Sequence, residues 1–233
     1  FPVEMERFFL KGLFKKAADK GLFSLSFVDL RDFAEDKHNK VDDYPFGYRK
    51  GLLLKADVIY KAVTSIDNYR DCRLLYTCPK GSIFDQSSAK KWLDQDLIIL
   101  CGYYKGVDER IFDILHFERV SMGNFVLSSG ELPALIVVEA LIRQIPGVVG
   151  HPDCVDEDSI LSGLLQSPDF TSPREFMENV VPEVLVSGNH QHIQDWRNEK
   201  AIKETFFKKV SLFSECEVSK KDKVYLTKLI EEA

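Results

Sequence analysis

The 233-residue chain contains no apolar stretch approaching the roughly 20 residues that a membrane helix requires. Its longest, Ala134 to Ile142, is interrupted by Glu139, so no membrane span is expected. An initiator Met, a basic n-region and a cleavage-type apolar segment are all missing around Phe1-Pro2; no secretory signal is read, and the N-terminus reads as trimmed. Positive charge is in short supply, 31 Lys and Arg against 37 Asp and Glu, a net of −6. That balance excludes a protein that coats nucleic acid non-specifically, though not a local basic patch. The five cysteines are odd in number and scattered, with no C-x-x-C pair, which predicts free thiols in a reducing cytoplasm.

Several motifs of common chemistries are also missing. No Walker A loop or G-x-G-x-x-G fingerprint occurs, which leaves nucleoside triphosphate and dinucleotide readings unsupported. The acidic run Asp153, Asp156, Glu157, Asp158 lacks the order of a calcium loop. It reads either as a solvated linker or as the site of one general base on a loop between domains. His190 and His192, at i, i+2, cannot share a helix face as a zinc pair would, and no G-x-S-x-G elbow points to a hydrolase. No set of metal ligands is predicted.

What is present is apolar material: 45% hydrophobic and 12% aromatic residues, too much for a disordered chain and enough for two unequal domains. Glu4 to Lys20 has helical periodicity, and Leu22 to Leu30 alternates as a half-buried strand would. Arg73–Thr77 and Leu97–Cys101 read as buried strands with a helical stretch, Lys90–Asp94, between them, which suggests a parallel α/β sheet. Glu131 to Arg143 is apolar almost all round, so it needs cover on several sides, from the sheet and from a second subunit. His151 to Ser159 reads as a linker, and Asn189–Lys208 and Lys220–Glu232 as two helices of a small C-terminal domain. Three loops follow strand ends with small residues: Pro79-Lys80-Gly81, Gly102-Tyr103-Tyr104-Lys105-Gly106 and Ser128-Ser129-Gly130. Glycine there lets backbone groups approach a ligand at the carboxyl edge of a sheet, so together the loops suggest a small-molecule pocket.

The ordered segments RDFAEDKHNKVDDYPFG, CGYYKGVDERI, MGNFVLSSGELPA, RQIPGVVGH, EDSILSGLL and VPEVLVSGNHQHIQDWR make the chain similar to the bacterial tRNA (guanine-N1)-methyltransferases, the TrmD family. The resemblance runs over nearly the whole chain. Phe1-Pro2 matches the end of that family's first strand, most of which is therefore expected to be missing here. The implied fold is α/β, a parallel sheet with a deep trefoil knot of the SPOUT methyltransferase class, plus a small α-helical C-terminal domain. The implied division is residues 1–148 for the methyltransferase domain, 149–166 for a linker, and 167–233 for a tRNA-contacting domain. A cytoplasmic homodimer is implied, acting on the guanosine immediately 3′ of the anticodon.

Carried over residue by residue, the resemblance assigns an S-adenosylmethionine pocket to Tyr76, Thr77, Pro79, Gly102, Tyr104, Gly106, Met122, Gly123, Asn124, Phe125, Val126, Leu127 and Gly130. Asp158 and Arg143 take the catalytic positions. Guanine N1 is a poor nucleophile until its proton leaves, which suits a carboxylate base. The charge then gathering on O6 suits a guanidinium that does not itself titrate. As residues alone, Arg143 also reads as a cation at a helix C-terminus. Asp42 and Asp43 match a pair beside the target base and also suit a turn before Pro45. Arg49 and Arg197 are assigned to tRNA, with Lys50, Lys55, Lys200, Lys203, Lys208 and Lys209 as further contacts or as an ordinary solvated face.

This sequence departs from the family pattern at its ligand loops. A glycine-rich family loop is Pro45-Phe46-Gly47-Tyr48-Arg49-Lys50-Gly51 here. Tyr103 stands for an arginine, Ser129 for a glycine and Ser172 for an arginine, and Lys105 for a glutamate near the methyl donor. Lys105 puts a magnesium requirement in doubt. A weak or inactive homologue that binds RNA or S-adenosylmethionine, or a methyltransferase with another RNA target, therefore stands beside the working enzyme.

Overall fold

The computed structural model describes residues 2–9, 11–47, 50–149, 160, 163–214 and 219–232, and it falls into two compact units, Phe1–Gly150 and His151–Ala233. The first carries, in chain order, α1 (Pro2–Phe9), α2 (Gly12–Asp19), β1 (Asp42–Asp43), β2 (Leu53–Leu54), α3 (Ala56–Thr64), β3 (Arg73–Ile83), α4 (Gln86–Trp92), β4 (Leu97–Leu100), α5 (Arg110–Leu115), β5 (Glu118–Ser121) and α6 (Glu131–Ile142). The second carries the hairpin β6 (Glu175–Phe176) and β7 (Asn179–Val180), then α7 (His190–Lys208) and α8 (Lys220–Glu232).

The expected parallel sheet is present, with β3 central between β4 and β5. Tyr76 faces Leu100 on one side and Arg119 on the other. Successive residues of a strand point to opposite faces, and here each face has its own core. Tyr76 joins Leu100, Ile59, Val63, Ile111, Leu115 and Phe117 beneath α3 and α5. Leu75 joins Ala89, Trp92, Val120, Val137 and Leu141 beneath α4 and α6. A parallel sheet covered by helices on both faces reads as continuous apolar sequence, which is what Arg73–Thr77 and Leu97–Cys101 show.

The register of β3 against β5 shifts between Thr77 and Ser82, both of which pair with Val120. Cys78 to Gly81 therefore loop out of the strand as the first of the three predicted loops. On α6, Pro133, Ala134, Val137, Leu141 and Ile142 are buried, while Leu132 and Ile136, one turn apart, are 59% and 48% exposed.

Two expectations near the N-terminus are corrected. The helix predicted over Glu4–Lys20 is two helices, because Gly12 adopts φ +57°, a left-handed conformation that a continuing helix does not admit. The rings of Phe8, Phe9 and Phe14 still pack together across the break. The strand predicted over Leu22–Leu30 is not formed. With no neighbouring strand among the described residues to complete a ladder, alternation alone does not make one. Leu22, Phe23 and Phe27 instead pack against Phe9, Ala17, Ile142 and Val148.

In the second unit, Asn189 caps α7 by accepting the His192 N–H at 3.2 Å, so the helix starts one residue later than predicted. Thr205, fully buried, accepts the Leu165 N–H at 2.8 Å and donates to the Ala201 carbonyl at 2.7 Å. Asn198 ties α7 to α8 through a 2.6 Å bond to Asp222. The linker His151–Ser159, with Asp158, lies outside the described residues.

Leu75 is completely buried in the sheet, so Leu75→Ala should lower the unfolding free energy by about 2–5 kcal/mol. Ile114→Ala, 53% exposed on α5, should cost less than about 1 kcal/mol. Urea denaturation distinguishes the two, and equal losses would contradict this assignment of the core.

Candidate active site

The three predicted loops meet at the carboxyl ends of β3 and β4. Gly130, which precedes α6, donates its N–H to the Gly102 carbonyl at 2.7 Å, and the buried Thr77 hydroxyl lies 3.5 Å from the Gly130 carbonyl, to which it donates. Tyr103 and Ser129 form an antiparallel bridge across the same crossing. A Cβ on Gly130 would lie 2.5 Å from the Gly102 nitrogen and 2.9 Å from Cys101 Cα. Both are backbone atoms that cannot step aside, so only glycine permits this approach.

A cavity of about 350 Å³ opens where the loops converge, within the range of small-molecule sites. Tyr76, Thr77, Pro79, Gly102, Tyr104, Gly106, Met122, Gly123, Phe125, Val126, Leu127 and Gly130 line it. Asn124 is in the same loop but exposed, and is not part of the lining. Sequence reasoning missed Glu109, Phe112 and Arg119, which also line it. Nothing local marks them, because Phe112 reads as an ordinary core position of a short helix and the other two as surface charge.

Tyr76 forms the floor. Its ring packs against Phe112 with centroids 5.3 Å apart, and its hydroxyl sits where a Cβ on Gly102 would come within 2.8 Å. Burial pushes the phenol up to about 12, with Cys78 and Glu109 adding to the rise and Arg119 opposing it, so it is a neutral hydrogen-bonding group at neutral pH. The Arg119 guanidinium lies 3.9 Å over the Phe112 ring and pairs with Glu109, which also meets Lys80 at 3.8 Å. Beneath the crossing, burial and the nearby Glu131 push the Cys101 thiol up to about 12. For Glu131 itself, burial works to raise the carboxyl, but a hydrogen bond from Ser129 is among the interactions that leave the net shift downward.

The β1–β2 hairpin is fastened to the second loop. Leu54 donates to the Gly106 carbonyl at 3.0 Å, Lys105 to the Leu52 carbonyl at 3.1 Å, and Asp108 to the Leu54 carbonyl at 2.9 Å. The Tyr104 hydroxyl donates to Asp42, and this bond to a carboxylate raises the phenol above its ordinary range. Asp42 thus neighbours Tyr104 but is not itself part of the cavity lining, whereas the Asp43 carboxylate accepts from the Tyr44 N–H at 2.7 Å. Arg143 is exposed as the C-terminal cap of α6. Arg197 is exposed on α7 of the second unit; Arg49 and Asp158 lie outside the described residues. Among the described residues, no group of three or more His, Cys, Asp or Glu side chains is arranged to hold a metal ion.

The family profile described as tRNA (guanine-1)-methyltransferase TrmD matches residues 1–215. The chain belongs to this family. It is 41% identical over 223 residues to the tRNA (guanine-N(1)-)-methyltransferase of Dictyoglomus turgidum, covering 95% of this chain and 90% of that protein. A protein of the same name from Staphylococcus epidermidis is 39% identical over 97% of this chain and 93% of its own length. One from Clostridioides difficile is 40% identical over 91% and 94%. The resemblance carried by the six quoted segments is thus a family membership, and the loops that form the cavity lie inside the matched region.

Gly130→Ala should cost about 1–3 kcal/mol of stability by forcing the crossing apart, measured by urea denaturation. A variant as stable as the parent would show that Gly130 and Gly102 do not touch.

Proposed function

We propose that this chain transfers the methyl group of S-adenosylmethionine to N1 of the guanosine immediately 3′ of the anticodon in tRNA. The observation that carries the reading is the convergence of three strand-end loops on one cavity, in a chain that matches the methyltransferase family over residues 1–215. The cavity suits the donor: a lining free of side chains at Gly102 and Gly130, a Tyr76–Phe112 floor, and apolar walls from Met122, Phe125, Leu127 and Pro133. The donor supplies a methyl group already activated by its sulfonium, so the protein's task is alignment and exclusion of water.

The acceptor side falls to charged residues. Asp158 takes the N1 proton, and Arg143 steadies the charge that then builds on O6. Asp42, oriented by Tyr104, lies beside the base. The base must leave its stack to be reached, which an anticodon loop allows. Arg49 and Arg197 contact the tRNA. Asp158 on the linker would let recognition of tRNA complete the site.

On this reading residues 1–148 are a SPOUT domain with a deep trefoil knot, 149–166 the linker and 167–233 the tRNA-contacting helical domain. The crossing of the Gly102 and Gly130 loops and the Leu54–Val107 bridge support the knot. The exposed Leu132 and Ile136 on α6, with Phe125 and Val126 in the adjoining loop, support a second copy against this face, and the protein then acts as a homodimer in the cytoplasm. Lys105 on the cavity wall opposes a divalent cation there, and no step of the reading depends on magnesium.

Labelled methyl transfer to a tRNA carrying guanosine at the target position, and none to the same tRNA with adenosine there, is the expected result. Asp158→Asn should lower the rate at least 100-fold with donor affinity nearly unchanged. Methylation of another nucleotide, or full turnover in Asp158→Asn, would contradict the reading.

A further inference from the structure

The cavity wall carries three cations, Lys80, Lys105 and Arg119, and one carboxylate, Glu109. Glu109 is shared by Lys80 and Arg119. Lys105 has no carboxylate within 4.0 Å among the described residues, so its charge is the uncommitted one. It sits in a four-residue turn closed by the Gly106 N–H on the Tyr103 carbonyl at 3.0 Å, with Tyr104 at φ +55°. Its backbone N–H is spent on Leu52. Its stem lies against Gly51, where a Cβ would meet Lys105 Cγ at 2.6 Å and Cε at 3.1 Å. Backbone anchoring on one side and a packed stem on the other restrict where the ammonium can go, which lowers the ordering cost of any ion pair it makes.

A cation on this wall is an unfavourable neighbour for a positively charged sulfonium and for the donor's own ammonium. S-adenosylmethionine carries one group that such a cation attracts, the carboxylate of its amino-acid tail. Resting on the donor reading proposed above, we infer that Lys105 binds the donor's carboxylate and thereby selects donors that possess one. Charge-assisted hydrogen bonds of this type are the strong ones, and at a partly solvated rim the pair contributes on the order of tenfold in affinity. The role belongs to this chain's own lysine, and the hairpin residue Gly51 supports it by leaving room for the stem.

Calorimetry with S-adenosylmethionine and decarboxylated S-adenosylmethionine, which differ by that carboxylate, tests the assignment on the full chain. The parent should prefer S-adenosylmethionine about tenfold or more. Lys105→Gln should remove most of that preference by weakening S-adenosylmethionine alone, and Lys105→Arg, which keeps the charge, should retain it. An unchanged preference in Lys105→Gln, an equal loss for both ligands, or no preference in the parent would overturn the role of Lys105 while leaving the donor reading standing. Failure of the parent to bind either ligand would overturn both.

Discussion

Two backbones touching without side chains between them set the geometry of the first unit. Gly130 and Gly102 approach closely enough for a 2.7 Å hydrogen bond, and a methyl group on Gly130 would fall on the Gly102 nitrogen and Cys101 Cα. That contact pins the start of α6 to the end of β4. The loop that bulges from β3 is brought to the same place by Thr77, whose hydroxyl reaches the Gly130 carbonyl. Rigid elements thus hold the three loops, and the cavity between them is largely preformed.

The same crossing couples the cavity to the β1–β2 hairpin. The Gly102–Gly106 loop lines the cavity, accepts and donates backbone hydrogen bonds with β2, and offers Tyr104 to Asp42. A displacement of this loop therefore moves both the cavity wall and Asp42. The charges follow a similar economy of parts, with Glu109 shared between Lys80 and Arg119 while Lys105 keeps its charge for a ligand.

The legible parts of the sequence were those whose pattern matches their burial. The strands Arg73–Thr77 and Leu97–Cys101 are apolar because the sheet is covered on both faces, and α6 is apolar because it packs on the sheet and leaves Leu132 and Ile136 outward. Partners in space were not legible. β5 reads Glu-Arg-Val-Ser and is recognised only once β3 lies beside it, while Leu22–Leu30 alternates but has no such neighbour among the described residues. The turn of the β6–β7 hairpin uses Met177 and Glu178 at φ +46° and +66°, with none of the residues that announce such turns. In the site, the glycine loops suggested a pocket from chemistry alone, whereas Met122, Phe125 and Leu127 required the family pattern. Glu109, Phe112 and Arg119 emerged only when α5 and β5 were folded against β3.

The central claim is that one ligand is held by all three loops at once. Hydrogen exchange of the backbone amides in residues 77–81, 102–107 and 122–130, with and without S-adenosylmethionine, tests it directly. The account predicts that the donor slows exchange in all three segments together, with the same ligand concentration dependence. Protection confined to a single segment, or appearing only outside these loops, would contradict it.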